Sequence, residues 1–151
     1  MHTRPVRERG FTLTELMIGL AVLALLVSVT VPSLSGIFNR MRLTGVANEL
    51  AADLQYARTE AVRRRAGVVL QPTANGYRIN SGALELKSVT FASGLTFIDS
   101  ATVNFDQLRA TSTPATLDLR NVAGTMRVRV NAMGRVAMCA PGGDLPGYTA
   151  C

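Results

Sequence analysis

The chain predicts an α+β fold in which one long N-terminal helix packs against a C-terminal antiparallel β-sheet domain. Three observations predict it. An uncharged apolar run from Leu16 to Leu34 leads into a one-sided stripe of Leu43, Val46, Ala47, Leu50, Ala51, Leu54, Ala57 and Ala61, the three-four spacing of a helix face. No proline interrupts the chain between Pro32 and Pro72. After Gly67 the pattern breaks into short runs separated by Asn-Gly and Ser-Gly turn signals.

The helix is expected from Phe11 to about Arg65, about 55 residues or roughly 80 Å. Its first half is apolar all round and its second half is amphipathic, so one part suits lipid and the other suits a packed domain. Gly36 and Gly45 weaken it locally. Glu60 and Arg64 stand at i,i+4 and support its last turns. Strands are expected at Val68–Gln71, Gly76–Ile79, Leu84–Leu86, Leu95–Ile98, Val103–Phe105, Thr116–Leu119, Met126–Val130 and Arg135–Met138, as a meander laid over the amphipathic half of the helix. The stretch from Ala110 to Pro114 reads as a loop.

The apolar run, with Phe11 to Glu15 before it, reaches the roughly 20 residues that span a bilayer. Arg4, Arg7 and Arg9 precede it, so the positive-inside bias keeps that end cytoplasmic and sends the rest of the chain across. One carboxylate, Glu15, sits just inside the run. A carboxylate in hydrocarbon costs roughly 3 kcal/mol or more, which makes it a functional candidate in need of a partner. A secretory signal peptide is one alternative; it expects a small-x-small cleavage site near Val31-Pro32-Ser33-Leu34-Ser35. A plain uncleaved anchor is another. Neither accounts for the arrangement Gly10-Phe11-x-x-x-Glu15.

The chain of 151 residues leaves room for one modest exported domain after the first 30 or so. It has 16 Lys+Arg, all Arg except Lys87, against 10 Asp+Glu. Without residues 1–10 the balance is 13 against 9, a net charge of +4. Such basicity fits anionic partners or simply a solvated basic surface. Cys139 and Cys151 fall in the oxidising compartment that the topology predicts, and a bridge between them would contribute on the order of 3 kcal/mol. A metal site lacks ligands, because the single His is His2. The same lack removes His-based triads and metal-dependent hydrolysis, and no phosphate-binding glycine loop ends in Lys-Ser/Thr. No cofactor and no catalytic residue is expected.

The stretch Gly10-Phe11-Thr12-Leu13-Thr14-Glu15-Leu16 resembles the class III signal of type IV prepilins and pseudopilins. The resemblance implies the pilin fold and a division into a leader (1–10), a transmembrane and assembly half of the helix (11–34), an amphipathic half (35–66) and a β-rich domain (67–151) that carries the Cys139–Cys151 loop. It implies cleavage after Gly10 by a prepilin peptidase and N-methylation of Phe11. It gives Glu15 a partner, the amine of Phe11 on a neighbouring subunit, and it gives Pro32 the role of a helix kink. The chain would then be a substrate of the peptidase and not an enzyme. It would sit in the inner membrane with its C-terminal domain in the periplasm, and join other pilin or pseudopilin subunits in a pilus or pseudopilus.

Ala57-Arg58-Thr59-Glu60-Ala61-Val62-Arg63-Arg64-Arg65, and later Arg127-Val128-Arg129-Val130 with Gly134-Arg135-Val136, resemble the GspH/FimT branch. That branch contains minor pilins of type IV pili and the minor pseudopilin of type II secretion systems. Some FimT-like minor pilins bind double-stranded DNA during natural transformation through a C-terminal Gly-Arg-x-Arg pattern. This chain has Ala137 in place of the second Arg. The candidate DNA contacts are Arg120, Arg127, Arg129 and Arg135. Period-two alternation places Arg127 and Arg129 on one strand face, opposite Met126, Val128 and Val130. They serve as an anion-binding surface or as an ordinary solvated face. Tyr148 is the one tail aromatic that could stack on a base.

Overall fold

The computed structural model describes residues 11–143 and 145–151, and of these the side chains of all but 29–33. The expected leader, with Gly10, lies outside the described residues. Helix α1 spans Leu13–Arg64. It is followed by β1 (Val68–Thr73), β2 (Gly76–Ser81), β3 (Leu84–Thr90), β4 (Thr96–Ser100), β5 (Val103–Phe105), β6 (Ala115–Asn121), β7 (Gly124–Val130) and β8 (Val136–Cys139). Each strand read from the sequence is present. The chain divides into two compact units, Met1–Gly36 and Ile37–Cys151.

In the first unit, α1 begins with a cap. Thr12 Oγ1 accepts the Glu15 N–H at 3.3 Å, and the Thr12 carbonyl accepts the Leu16 N–H at 3.2 Å. Thr12 and Glu15 therefore occupy the first and last positions of a T-x-x-E capping sequence. Leu16, Met17, Ile18, Leu20, Leu23 and Leu25 are all exposed. Among the described residues no helix is long and apolar enough to cross a membrane; the expected anchor includes 29–33, whose side chains lie outside them. Pro32 falls there too.

In the second unit, α1 buries Leu43, Ala47, Leu50, Ala51, Leu54, Ala57 and Ala61, the face its periodicity marks. The helix ends in a Schellman arrangement: Ala66 N–H donates to the Ala61 carbonyl and Arg65 N–H to that of Val62, both at 3.2 Å. Arg65 takes the left-handed position there, with φ 51°, where glycine is usual.

The strands do not form one meander. They make two antiparallel four-stranded sheets, ordered β3-β2-β1-β5 and β4-β6-β7-β8. After β3 the chain crosses to the second sheet as β4, then returns as β5 to the open edge of β1, pairing Val68 with Phe105 and Leu70 with Val103. The physical reason is burial: Val103 and Phe105 are at most 2% exposed only because both strands of that pair face the core. Inward residues of both sheets and the helix face share one apolar cluster.

Polar groups fasten the layers together. Tyr77 Oη donates to Asp53 Oδ2 at 2.7 Å, and Lys87 Nζ donates to Asp53 Oδ1 at 2.8 Å and to Glu49 Oε1 at 3.3 Å. Burial, and then the Asp53 carboxylate, push the Tyr77 hydroxyl well above its ordinary pKa. Asn121 Nδ2 donates to the Asn39 carbonyl at 2.7 Å, tying the β6–β7 turn to α1.

Candidate functional site

Phe11 is 85% exposed, and Glu15 is exposed one helical turn further on. Glu15 is the single charged residue between Phe11 and Asn39. Its position after Thr12 also places it in the first turn of α1, where a carboxylate complements the helix dipole. The local cap is a role the sequence reading missed, although the spacing Thr12-x-x-Glu15 carries it.

The Arg residues of the second sheet follow from register. Thr116 pairs with Arg129, Asp118 with Arg127 and Arg120 with Thr125, so these side chains share the outer face. Leu117, Leu119, Met126, Val128 and Val130 fill the inner one. Arg120, Arg129 and Arg135 are exposed and have no ion-pair partner among the described residues. Arg127 differs. Its Nε donates to Asp118 Oδ1 at 2.7 Å and its Nη2 to Oδ2 at 2.6 Å, a bidentate pair on a carboxylate only 4% exposed. The hydrogen bond to Asp118 also holds the guanidinium pKa above its ordinary value. Arg127 is thus neutralised, and removing it would strand a buried charge. Period-two alternation cannot separate it from Arg129, because the partner arrives from β6.

Two depressions lie beside these Arg residues. One of about 890 Å³ is lined by Arg129 and Arg135, with Asp99 and the Cys139–Cys151 bridge. The other, of about 840 Å³, holds Arg120, Arg127 and Asp118.

Cys139 and Cys151 are bridged, with Cα atoms 5.1 Å apart. Described residues of the enclosed segment are tied to the rest of the domain. Ala140 N–H donates to the Thr149 carbonyl at 2.9 Å, and Leu145 is 1% exposed in the core. Tyr148 packs on that core and its Oη accepts from Asn48 Nδ2 at 3.2 Å. Tyr148 is thus half-buried, with its hydroxyl tied to α1.

Sequence comparison extends these observations. The family model described as type II transport protein GspH matches residues 46–134, and the prokaryotic N-terminal methylation motif matches residues 6–31. The pilin-like protein PilA1 of Thermus thermophilus is 43% identical over 69 residues, 46% of this chain and 43% of that protein. The chain thus spans less than half the length of that relative. Among solved structures, the type IV minor pilin FimU of Pseudomonas aeruginosa is similar at 26% identity with a TM-score of 0.55, over 66% of this chain and 90% of FimU. The minor pseudopilin EpsH of the Vibrio cholerae type 2 secretion system shares the fold, with a TM-score of 0.55 at 15% identity, over 67% of this chain and 98% of EpsH. The methylation motif ahead of a long helix, the sheets packed on that helix, and a family match over more than half its length show that this chain belongs to the GspH family of pilin-like proteins.

Proposed function

We propose that this chain is a minor pilin, a structural subunit of a type IV pilus assembled through its N-terminal helix. The observation that carries the reading is Glu15, alone among uncharged residues from Phe11 to Asn39 behind a Gly10-Phe11 junction. Residues 1–10 are the leader that a prepilin peptidase removes, Phe11 is the methylated N-terminus, and 11–34 sit in the inner membrane before assembly. Pro32 bends the helix. The domain of 67–151 lies in the periplasm. Pairing Glu15 with the Phe11 amine of a neighbour offsets the cost of burying each alone, so entry into the filament depends on register. Mass spectrometry of the mature chain is expected to find methylated Phe11 first. Glu15→Ala is expected to leave membrane insertion intact and reduce recovery in sheared filaments; recovery at wild-type levels refutes the pairing.

The likeness to FimU, at 26% identity over 90% of that chain, favours a pilus. A pseudopilin of a type II secretion system is the alternative, supported by the family description. Deleting the gene separates them: loss of surface pili supports the first, and loss of protein secretion with pili intact supports the second.

A FimT-like role in taking up DNA rests on Arg120, Arg129 and Arg135, which have no ion-pair partner among the described residues. Arg127 is paired with Asp118, so the reading rests mainly on the other three. Duplex DNA is expected to bind weakly, without sequence preference, and less tightly as salt rises. Changing the three Arg residues to Gln should remove most of that affinity, whereas Arg40→Gln with Arg42→Gln should not. Equal losses mean that the attraction is diffuse charge.

A further inference from the structure

Between α1 and the turn joining β7 to β8 lies a cleft of about 370 Å³, lined by Gln55, Arg58, Thr59, Gly134, Arg135 and Val136. Arg58 and Arg135 both line it, and none of the lining residues is acidic. Neither Arg58 nor Arg135 has an ion-pair partner among the described residues. Like charges placed together without a counter-charge repel, and an anion between them removes that cost.

Arg58 is also held in place. Its Nε donates to the Ala110 carbonyl at 3.1 Å, which directs one edge of the guanidinium and leaves the terminal nitrogens for another acceptor. Ala110 presents that carbonyl from a left-handed conformation, φ 52°, unfavourable for a residue with a Cβ. Gly134, at φ 71°, comes so close that a Cβ there would lie 2.8 Å from the Ala110 oxygen and 2.9 Å from Arg58 Nε. Asn131 fixes the turn: its Oδ1 accepts from Met133 N at 3.0 Å and Arg135 N at 2.9 Å, and its carbonyl accepts from Gly134 N at 2.8 Å. Two unusual backbone conformations thus converge on one cation.

We propose that this cleft binds a phosphate group. The Arg58 terminal nitrogens, the Arg135 guanidinium and the Gln55 amide offer more donors than the two oxygens of a carboxylate use, and a tetrahedral oxyanion matches them. The site shares the Gly134-Arg135-Val136 turn with the nucleic-acid reading and adds Arg58 and Gln55 of α1, which that reading does not use. Phosphate can bind here whether or not the chain retains duplex DNA.

The test is an NMR titration of the full chain in neutral detergent micelles with inorganic phosphate, against chloride at equal ionic strength. Saturable shifts are expected at the Gly134 amide and at Arg58 Nε. Affinity should fall about tenfold in Arg135→Gln, an exposed position that leaves the fold intact, and in Arg58→Lys, which keeps the charge and loses the fork. Arg109→Gln should have no effect. Methyl phosphate and dimethyl phosphate identify the source: binding of both supports a phosphodiester of a polymer or lipid, and binding of the monoester alone supports a free or terminal phosphate. Shifts that do not saturate, or that persist unchanged in Arg135→Gln, overturn the site.

Discussion

Glu60 is buried near the end of α1 and still ionised, because two cations grip it. Arg63 Nε and Nη2 donate to its two oxygens at 2.7 and 2.8 Å, and Arg64 Nε donates at 2.6 Å. The hydrogen bonds from Arg63 and then Arg64 lower its pKa from an ordinary 4.5 to about 2. A carboxyl depressed in the folded state stabilises the fold above its unfolded pKa and loses that contribution as pH falls through the folded one. The second unit is therefore expected to lose stability between pH 4.5 and about 2, and Glu60→Gln should flatten that part of a denaturant-midpoint profile. An unchanged profile would show that the clasp is not the acid-sensitive element. Arg65, one residue past the helix, makes an opposite case. It holds a left-handed conformation that a Cβ disfavours, so Arg65→Gly is expected to add about 1 kcal/mol, raising the thermal midpoint by about 4 °C. A lower midpoint would mean that the Arg65 side chain makes a compensating contact.

At the scale of elements, the β1–β2 hairpin shows what a sequence signal does and does not say. Asn75-Gly76 marks a turn, but Thr73 pairs with Gly76, so the turn residues are Ala74 and Asn75 and the glycine opens β2. Gly76 is there because β3 crosses it: a Cβ would lie 1.9 Å from the Val89 oxygen. Gly76→Ala should cost about 3 kcal/mol by forcing β2 and β3 apart. Gly82→Ala, at φ 59° with open space around the Cβ, should cost only about 1 kcal/mol. Chemical denaturation measures both, and equal losses would remove the steric explanation. The helix face and all eight strands were legible because one-sided burial imprints a period on the sequence. The partition into two sheets was not, because β5 finds β1 through Val103 and Phe105, and nothing local in that short run names its neighbour. Arg58 escaped notice for the same reason, since its partners Ala110 and Gly134 come from distant loops.

For the whole molecule, the C-terminal segment is held twice, by the Cys139–Cys151 bridge and by Leu145 in the core. Losing the bridge should cost about 3 kcal/mol by releasing the unfolded chain. Because Leu145 remains seated, Cys139→Ser with Cys151→Ser is expected to stay folded. Hydrogen exchange should quicken at 140–151 and remain slow in β6 and β7. Exchange rising equally in those strands would mean that the bridge supports the entire second sheet.

The contact between Asn48 and Tyr148 joins residues 100 apart in sequence, and that between Asn39 and Asn121 joins residues 82 apart. Pairings of such long range form late, because loop-closure entropy is lost before they stabilise anything. The backbone hydrogen bonds within α1 are local, so the helix can form as soon as it is made. Its apolar face from Leu43 to Ala61 then waits, uncovered, for strands not yet synthesised. The last strand ends at Cys139 and Leu145 completes the core, so during synthesis the chain carries a formed helix ahead of an unfinished sheet domain. That state can still be threaded through a membrane pore, and it is also the one most exposed to aggregation.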